Sequence, residues 1–385
     1  MAVLDAKVLI AVTASLAVAV AGCGLVLLMD GEDISGASLF IDSAGTFENG
    51  VYERVIVSAS VGDGHVVLRN ITILESLIIR GGGSDSVVIE ECTVEGTTVV
   101  DKTGGQDVRI CLVDTVLPDL EANSGIIIEG DSDSEFASVT LKCASTAVRG
   151  SGTLIRTLTL LDKVSLDLQD GTVNDLKVPE NAAVIFRSGP DAKVKDITLS
   201  GTMTVNGTDT RIDRVSLKDG SSLNVSEGTV DSVEVPENAS AALSTGTDGV
   251  IVSADIGGTV TVNGPATNVG KVDMRDGSSL KVDGGSVGYV EIPKDSAVRI
   301  DRKGEGRIGS AIVGDNVSID VPEGSDIGSV NFSMAEGSSG DSVKIRGETR
   351  KVDDRWDREH PRYPWLWWLD QSLWDRLFSR WNVSP

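Results

Sequence analysis

Apolar residues in this chain alternate with polar ones in short runs, and the runs return at a fixed interval. Between residues 166 and 217 they fall into three groups of five. The first is Leu166, Leu168, Val173, Leu176 and Val178. The second is Val184, Phe186, Val194, Ile197 and Leu199, and the third is Met203, Val205, Ile212, Val215 and Leu217. Each group reads U-x-U, a polar gap, then U-x-x-U-x-U, where U is apolar. A period of two is that of a strand with one buried face, and nothing here has helical spacing. The gaps hold Gly171, Gly189 and Gly207, expected at corners that need a positive φ.

The pattern copies itself with a 57-residue period. Val178-Pro179-Glu180-Asn181 returns as Val235-Pro236-Glu237-Asn238 and then as Ile292-Pro293-Lys294-Asp295. Thr204-Val205-Asn206-Gly207 returns as Thr261-Val262-Asn263-Gly264, and Asp219-Gly220-Ser221-Ser222-Leu223 as Asp276-Gly277-Ser278-Ser279-Leu280. A fixed period means a stacked array rather than one globular core. Three groups per period give a coil of about 19 residues. Short strands in such coils predict an all-β fold, a single parallel β-helix in which Val, Ile and Leu stack inward and Asn, Asp, Thr and Ser face solvent or corners. After Ile319 the register slips to Ile327, Val330 and Phe332.

Before residue 165 the coils are looser. Leu68-Ile71-Ile73, Ile89-Cys92-Val94 and Ile110-Val113-Thr115 recur at a spacing of about 21 residues, again as stacked repeats do. Cys92 is thereby expected above Val113 on the inward track, with Cys111 pointing out. Residues 46–345 accommodate about 15 coils, a shaft on the order of 70 Å. The expected domains are 1–33, a signal or anchor with a hydrophobic helix; 34–164 and 165–345, the two stretches of β-helix; and 346–385, a short helical C-terminal segment.

The run from Asn49-Gly50-Val51-Tyr52 through Asp63-Gly64-His65-Val66 to Gly81-Gly82-Gly83-Ser84-Asp85 resembles the repeat regions of bacterial and archaeal cell-surface proteins. The resemblance covers roughly residues 45–150. It implies a right-handed, pectin-lyase-like β-helix and a surface setting, and it carries no activity.

Val8 to Met29 contain no charge, enough to span a bilayer. Lys7 before them and Asp30, Glu32 and Asp33 after them orient the body outward. Three readings stay open: an uncleaved anchor, a cleaved signal peptide, and a lipoprotein box at Val20-Ala21-Gly22-Cys23 that would lipidate Cys23. All three place the body outside the cytoplasm, and the expected location is the extracellular face of the membrane or the cell surface. Seven of the chain's Asn residues lie in Asn-x-Ser/Thr sequons: Asn70, Asn206, Asn224, Asn238, Asn316, Asn331 and Asn382. They are glycosylation candidates, and also what coil corners use.

With 58 acidic and 34 basic residues the net charge is −24, which excludes a nucleic-acid footprint. No cofactor is expected. Weak Ca2+ binding at acidic corners is the one ion reading, with Asp131-Ser132-Asp133-Ser134-Glu135 the densest candidate. Cys92, Cys111 and Cys143 form no disulfide framework, and buried Cys behaves as a small hydrophobe.

All six Trp lie between Trp356 and Trp381. A helix from about residue 365 to 380 would put Leu366, Leu373, Trp374, Leu377, Phe378 and Trp381 on one face. That face suits a cap over an open solenoid end, a subunit contact, or a membrane interface.

The two His, His65 and His360, have no partner by spacing, and stacked carboxylates are too common to nominate a pair. The chain therefore reads as a non-catalytic extracellular structural or adhesive protein, self-associating or meeting other surface proteins or glycans. The alternatives are a carbohydrate-binding or carbohydrate-cleaving β-helix and a polymerising scaffold like the bactofilins.

Overall fold

The computed structural model describes residues 37–84, 87–322, 331–335 and 343–345, with the backbone of Ala17–Val18, Leu27–Leu28, Asn331–Met334 and Glu348–Thr349. The expected N-terminal helix lies outside the described residues, apart from two strand fragments: Ala17–Val18 pairs antiparallel with Leu27–Leu28. Most of residues 346–385 is also outside them, including the six interface residues.

The fold is an all-β parallel β-solenoid of about 14 turns, against the 15 expected. Among the described residues the single helix is the 3-10 turn Ala59–Val61. The chain divides into two compact units at Asn174/Asp175.

In the first unit the strands stack coil on coil. Ser38–Ile41 lies on Gly45–Val57, and that strand lies on Val66–Ile79, which meets both Val87–Glu90 and Thr97–Val100. Inward columns such as Val55, Leu77 and Leu68, Ile89 are fully buried. One expectation fails here. The coil that starts at Val87 is longer than its neighbours, because Val87 pairs with Ile110 and Glu90 with Val113. Cys92 therefore lies level with Thr115, whose Oγ1 accepts from the Cys92 N–H at 3.1 Å. Val113, half-buried, leaves the inward track to Leu112. The two extra residues enter between Val100 and Ile110, and Glu91 and Asp114 hold equivalent corners of the two coils, both at positive φ.

In the second unit all of the predicted inward residues between Leu176 and Ile319 are buried. The 57-residue period is not three equal coils, however. On one sheet Ile197, Val215, Val233 and Ala254 pair in turn, and the third step is the longest. On the other, Val184, Met203, Leu223 and Leu243 pair in nearly even steps. The second sheet gains two residues per period, an even number, so every inward side chain stays inward. A bulge between Val225 and Glu227 takes up part of the difference. Beyond Ile319, Met334 is buried but Phe332 is only half-buried. At the end of the described chain, Lys344–Ile345 pairs parallel with Ser318–Asp320 and antiparallel with Glu348–Thr349.

The repeated sequence motifs are corner chemistry. Asn181, Asn238 and Asp295 have φ of 66°, 64° and 57°. Asn and Asp tolerate this left-handed conformation best among residues with a Cβ. In the first two copies the next residue closes the turn, Ala182 N–H and Ala239 N–H each donating to the Pro carbonyl at 3.2 Å. Gly171 and Gly207 are left-handed as expected. Gly189 is not, since Pro190 sets its corner and Ala192 N–H donates to the Gly189 carbonyl at 3.3 Å.

A second corner device is hidden in the sequence. Thr153, Thr210 and Thr267, one period apart, are buried rather than facing solvent. Their hydroxyls accept from the backbone N–H of Gly130, Ser188 and Thr245, one coil earlier, at 2.8, 2.9 and 3.1 Å. Their carbonyls accept from Thr172, Thr229 and Ser286, one coil later. Each threonine thus ties three coils at a corner where strand pairing is interrupted, so that buried backbone groups find partners. Thr115 and Ser134 do the same job in the looser coils.

Candidate functional site

Among the described residues, a constellation of chemistry-bearing side chains lies on the outward face of one sheet in the second unit. The strand register places Glu234, Asp255, Asp273 and Glu291 on four successive coils. Parallel strands repeat at about 4.8 Å, so four carboxylates form a ladder at that spacing. Two cations bridge it in pairs. Lys271 Nζ lies 2.8 Å from both Asp273 Oδ1 and Glu291 Oε2. Arg275 reaches Asp255 Oδ2 at 2.5 Å and Glu234 Oε1 at 3.3 Å. Tyr289 pairs in register with Lys271, and the ammonium sits 5.7 Å from the ring centroid, within cation–π range.

Burial works against charge here. It pushes the Asp273 carboxyl above the usual carboxylate range, against the hydrogen bond and charge of Lys271. It also raises the Tyr289 hydroxyl. At Lys271 burial opposes the ammonium, but the hydrogen bonds to Asp273 and Glu291 outweigh it and hold its pKa above the ordinary lysine value. A raised carboxyl one rung from another carboxylate has the approximate separation used by retaining glycosidases. What differs is that Lys271 bridges the two, so the proton acceptors are already occupied by a cation.

The same pattern recurs on the other outward faces. Glu48, Arg69 and Glu90 form a three-coil ladder at 2.6 and 2.8 Å, Arg109 pairs with Glu129 at 2.8 Å, and Arg299 with Asp320 at 2.7 Å. In each of these pairs the partners stand on adjacent coils.

Three of the sequon side chains, Asn70, Asn224 and Asn316, also serve the coil. Asn70, at φ 51°, donates from Nδ2 to Asn49 Oδ1 at 2.6 Å, and Asn49 is itself left-handed. Asn316 Nδ2 donates to Asp295 Oδ1 at 3.1 Å. Asn224 donates to Ser226 and accepts from Ser244. Asn206 is half-buried and its carbonyl accepts from Thr210, while Asn238 is exposed and left-handed. Cys23, Asn382 and the side chain of Asn331 lie outside the described residues.

The acidic corner at Asp131 is engaged internally. Its carboxylate accepts from Asp133 N–H and Asp114 N–H, each at 3.3 Å, Ser134 is buried, and Glu135 pairs with Arg156. Elsewhere Asp283 and Asp301 keep one buried carboxylate oxygen each without a hydrogen-bond partner. Their other oxygens meet Lys281 at 2.6 Å and Lys303 at 3.4 Å. Two oxygens fall short of the six to eight that calcium takes. Among the described residues no group of three or more His, Cys, Asp or Glu is placed to hold a metal. His65 sits in the turn before Val66–Ile79, where its carbonyl accepts from Gly45 N–H at 2.9 Å.

Cys92 and Cys143 are buried, Cys111 is half-buried, and all three are free thiols. Burial pushes each thiol pKa up. Among the described residues no helix is long and apolar enough to cross a membrane.

Compared with known proteins, the chain matches no family model, no curated sequence and no solved structure.

Proposed function

We propose that the chain is a non-catalytic structural or adhesive element of the cell surface, a β-solenoid held outside the membrane by residues 8–29. The observation that carries this reading is the fate of its charged side chains. The carboxylate ladder Glu234–Asp255–Asp273–Glu291 is closed by Lys271 and Arg275, and the other outward faces bear further inter-coil pairs. Such pairs support the stack and leave the chemistry-bearing groups committed to each other. The resemblance of residues 45–150 to pectin-lyase-like surface repeats and the charge-free run Val8 to Met29 support the extracellular setting. Fractionation of intact cells, with external protease, tests it. A membrane-bound chain digested from outside fits the proposal, and a cytosolic chain refutes it.

One observation favours a second reading, carbohydrate binding or cleavage: the raised Asp273 carboxyl beside Glu291. A glycan array and a reducing-sugar assay on the wild type and on Asp273→Asn separate the two. Signal lost in the variant would favour the carbohydrate reading. A polymerising role is tested by sizing the chain with and without residues 346–385.

A further inference from the structure

On one sheet of the first unit, the outward residues of four successive coils are all apolar: Phe40, Ile56, Ile78 and Val99. Each pairs in register with the next, so they form one continuous stripe. Phe40 is 60% exposed, and the other three are half-buried. The fifth coil puts Glu121 in this position and the sixth Thr140. The outward ladder of the second unit, in contrast, is Glu234, Asp255, Asp273 and Glu291. An apolar outward stripe in a chain of net charge −24 calls for an apolar partner.

We propose that this stripe lies against the surface of the lipid bilayer. The inference rests on the reading of residues 8–29 as an anchor and names the second place where the chain meets lipid. Three features on the chain select lipid over other occupants.

The first is the tether. Eight residues, Asp30 to Ala37, separate the end of the charge-free run from the first described strand. Fully extended, they reach at most about 27 Å. The coils that carry the stripe are the ones such a tether holds closest to the bilayer, and the stripe begins on the first of them.

The second is size. Rungs about 4.8 Å apart make a four-rung stripe roughly 20 Å long and one side chain wide. A stable pair of proteins buries about 800 Å² on each partner, far more than this stripe supplies. A surface already tethered works at an effective concentration of about millimolar, where a small apolar contact suffices.

The third is charge. Arg54 and Arg80 are exposed on opposite flanks of the stripe. Arginine stems run along apolar surface while the guanidinium reaches lipid phosphate. Arg54 also meets Glu75 at 3.5 Å, an exposed pair that a phosphate can open. Asp42 and Asp101 lie on the Arg80 flank and Glu75 beside Arg54, so charges of both signs border the stripe.

The test places a benzophenone amino acid at Phe40 or at Ile78 of the full chain, reconstituted in phosphatidylcholine vesicles. A control carries it at Thr198, a half-buried outward position of the second unit. The expected result, after illumination, is a lipid adduct at both positions and none at Thr198. A crosslinked dimer would assign the stripe to a second copy, and an internal crosslink to residues 8–29 would assign it to the chain's own apolar run. Either result overturns the inference, as does the absence of any adduct in chains that float with the vesicles. Chains that fail to float would remove the anchor reading itself, and this inference with it. Two probe positions guard against one substitution that disturbs the coil.

Discussion

The hydroxyl of Thr210 accepts a hydrogen bond from the backbone N–H of Ser188 at 2.9 Å, from one coil to the next and at a corner closed to water. Its own N–H donates to Gly207, and its carbonyl accepts from Thr229. Thr210→Val keeps the shape and removes the acceptor, leaving the Ser188 N–H unsatisfied. A buried orphan donor costs about 1–3 kcal/mol. Chemical denaturation should show that loss for Thr210→Val and a much smaller one for Thr210→Ser.

Gly228 and Gly220 are both left-handed, at φ 92° and 74°, yet they should respond differently to alanine. A Cβ at Gly228 would lie 2.6 Å from the Thr210 carbonyl oxygen, whereas one at Gly220 meets nothing within 4 Å. Gly220→Ala then costs the backbone strain alone, about 1–2 kcal/mol. Gly228→Ala adds a clash with a carbonyl that already serves Thr229. The thermal midpoint should fall clearly further for Gly228→Ala.

Glu129 and Asp273 should give stability opposite pH slopes. The hydrogen bond from Arg109 holds the Glu129 carboxyl below the usual range, against partial burial. Its contribution is present above the unfolded pKa of about 4.3 and is lost as pH falls through the folded value. Asp273 is raised by burial, so its contribution is present below the unfolded pKa of about 3.9 and is lost as pH rises through the folded value. Denaturation curves between pH 3 and pH 7 should show a weaker fall towards acid for Glu129→Gln than for the wild type. For Asp273→Asn that fall should steepen. An unchanged slope in both variants would sink the assignment.

The thiols offer a probe of intactness. Cys92 and Cys143 are buried and their pKa values are raised, so they should resist a thiol reagent at pH 8 until the coils open. Cys111, half-buried, should react earlier. Mass spectrometry of peptides labelled along a urea gradient distinguishes the sites, and early labelling of Cys92 would contradict the packing around Thr115.

The inward columns were legible because burial leaves a signature in residue type: Leu166 to Leu217 alternate as they pack. What the pattern could not reveal was the division of the 57-residue period. Periodicity constrains the sum of three coils, while their separate lengths depend on corners and on the bulge after Val225. The misplacement of Cys92 has the same origin, since two residues inserted before Ile110 change the register without breaking alternation. Thr210 escaped notice for another reason. A threonine that satisfies buried backbone looks, in sequence, like one that faces water. Its regular spacing from Thr153 and Thr267 was the available signal. The charged ladder around Lys271 was equally invisible, because charged residues recur throughout the chain and only register brings particular ones together.

The Thr202 N–H donates to the Ala182 carbonyl at 2.9 Å, and one period later the Thr259 N–H donates to Ala239 at 2.8 Å. These are the same joint made twice. Excising residues 202–258 would bring Thr259 directly after Gly201 and offer it the very carbonyl that Thr202 had used. The period is thus a cassette, whose removal or insertion by recombination leaves the splice chemically indistinguishable from its neighbours.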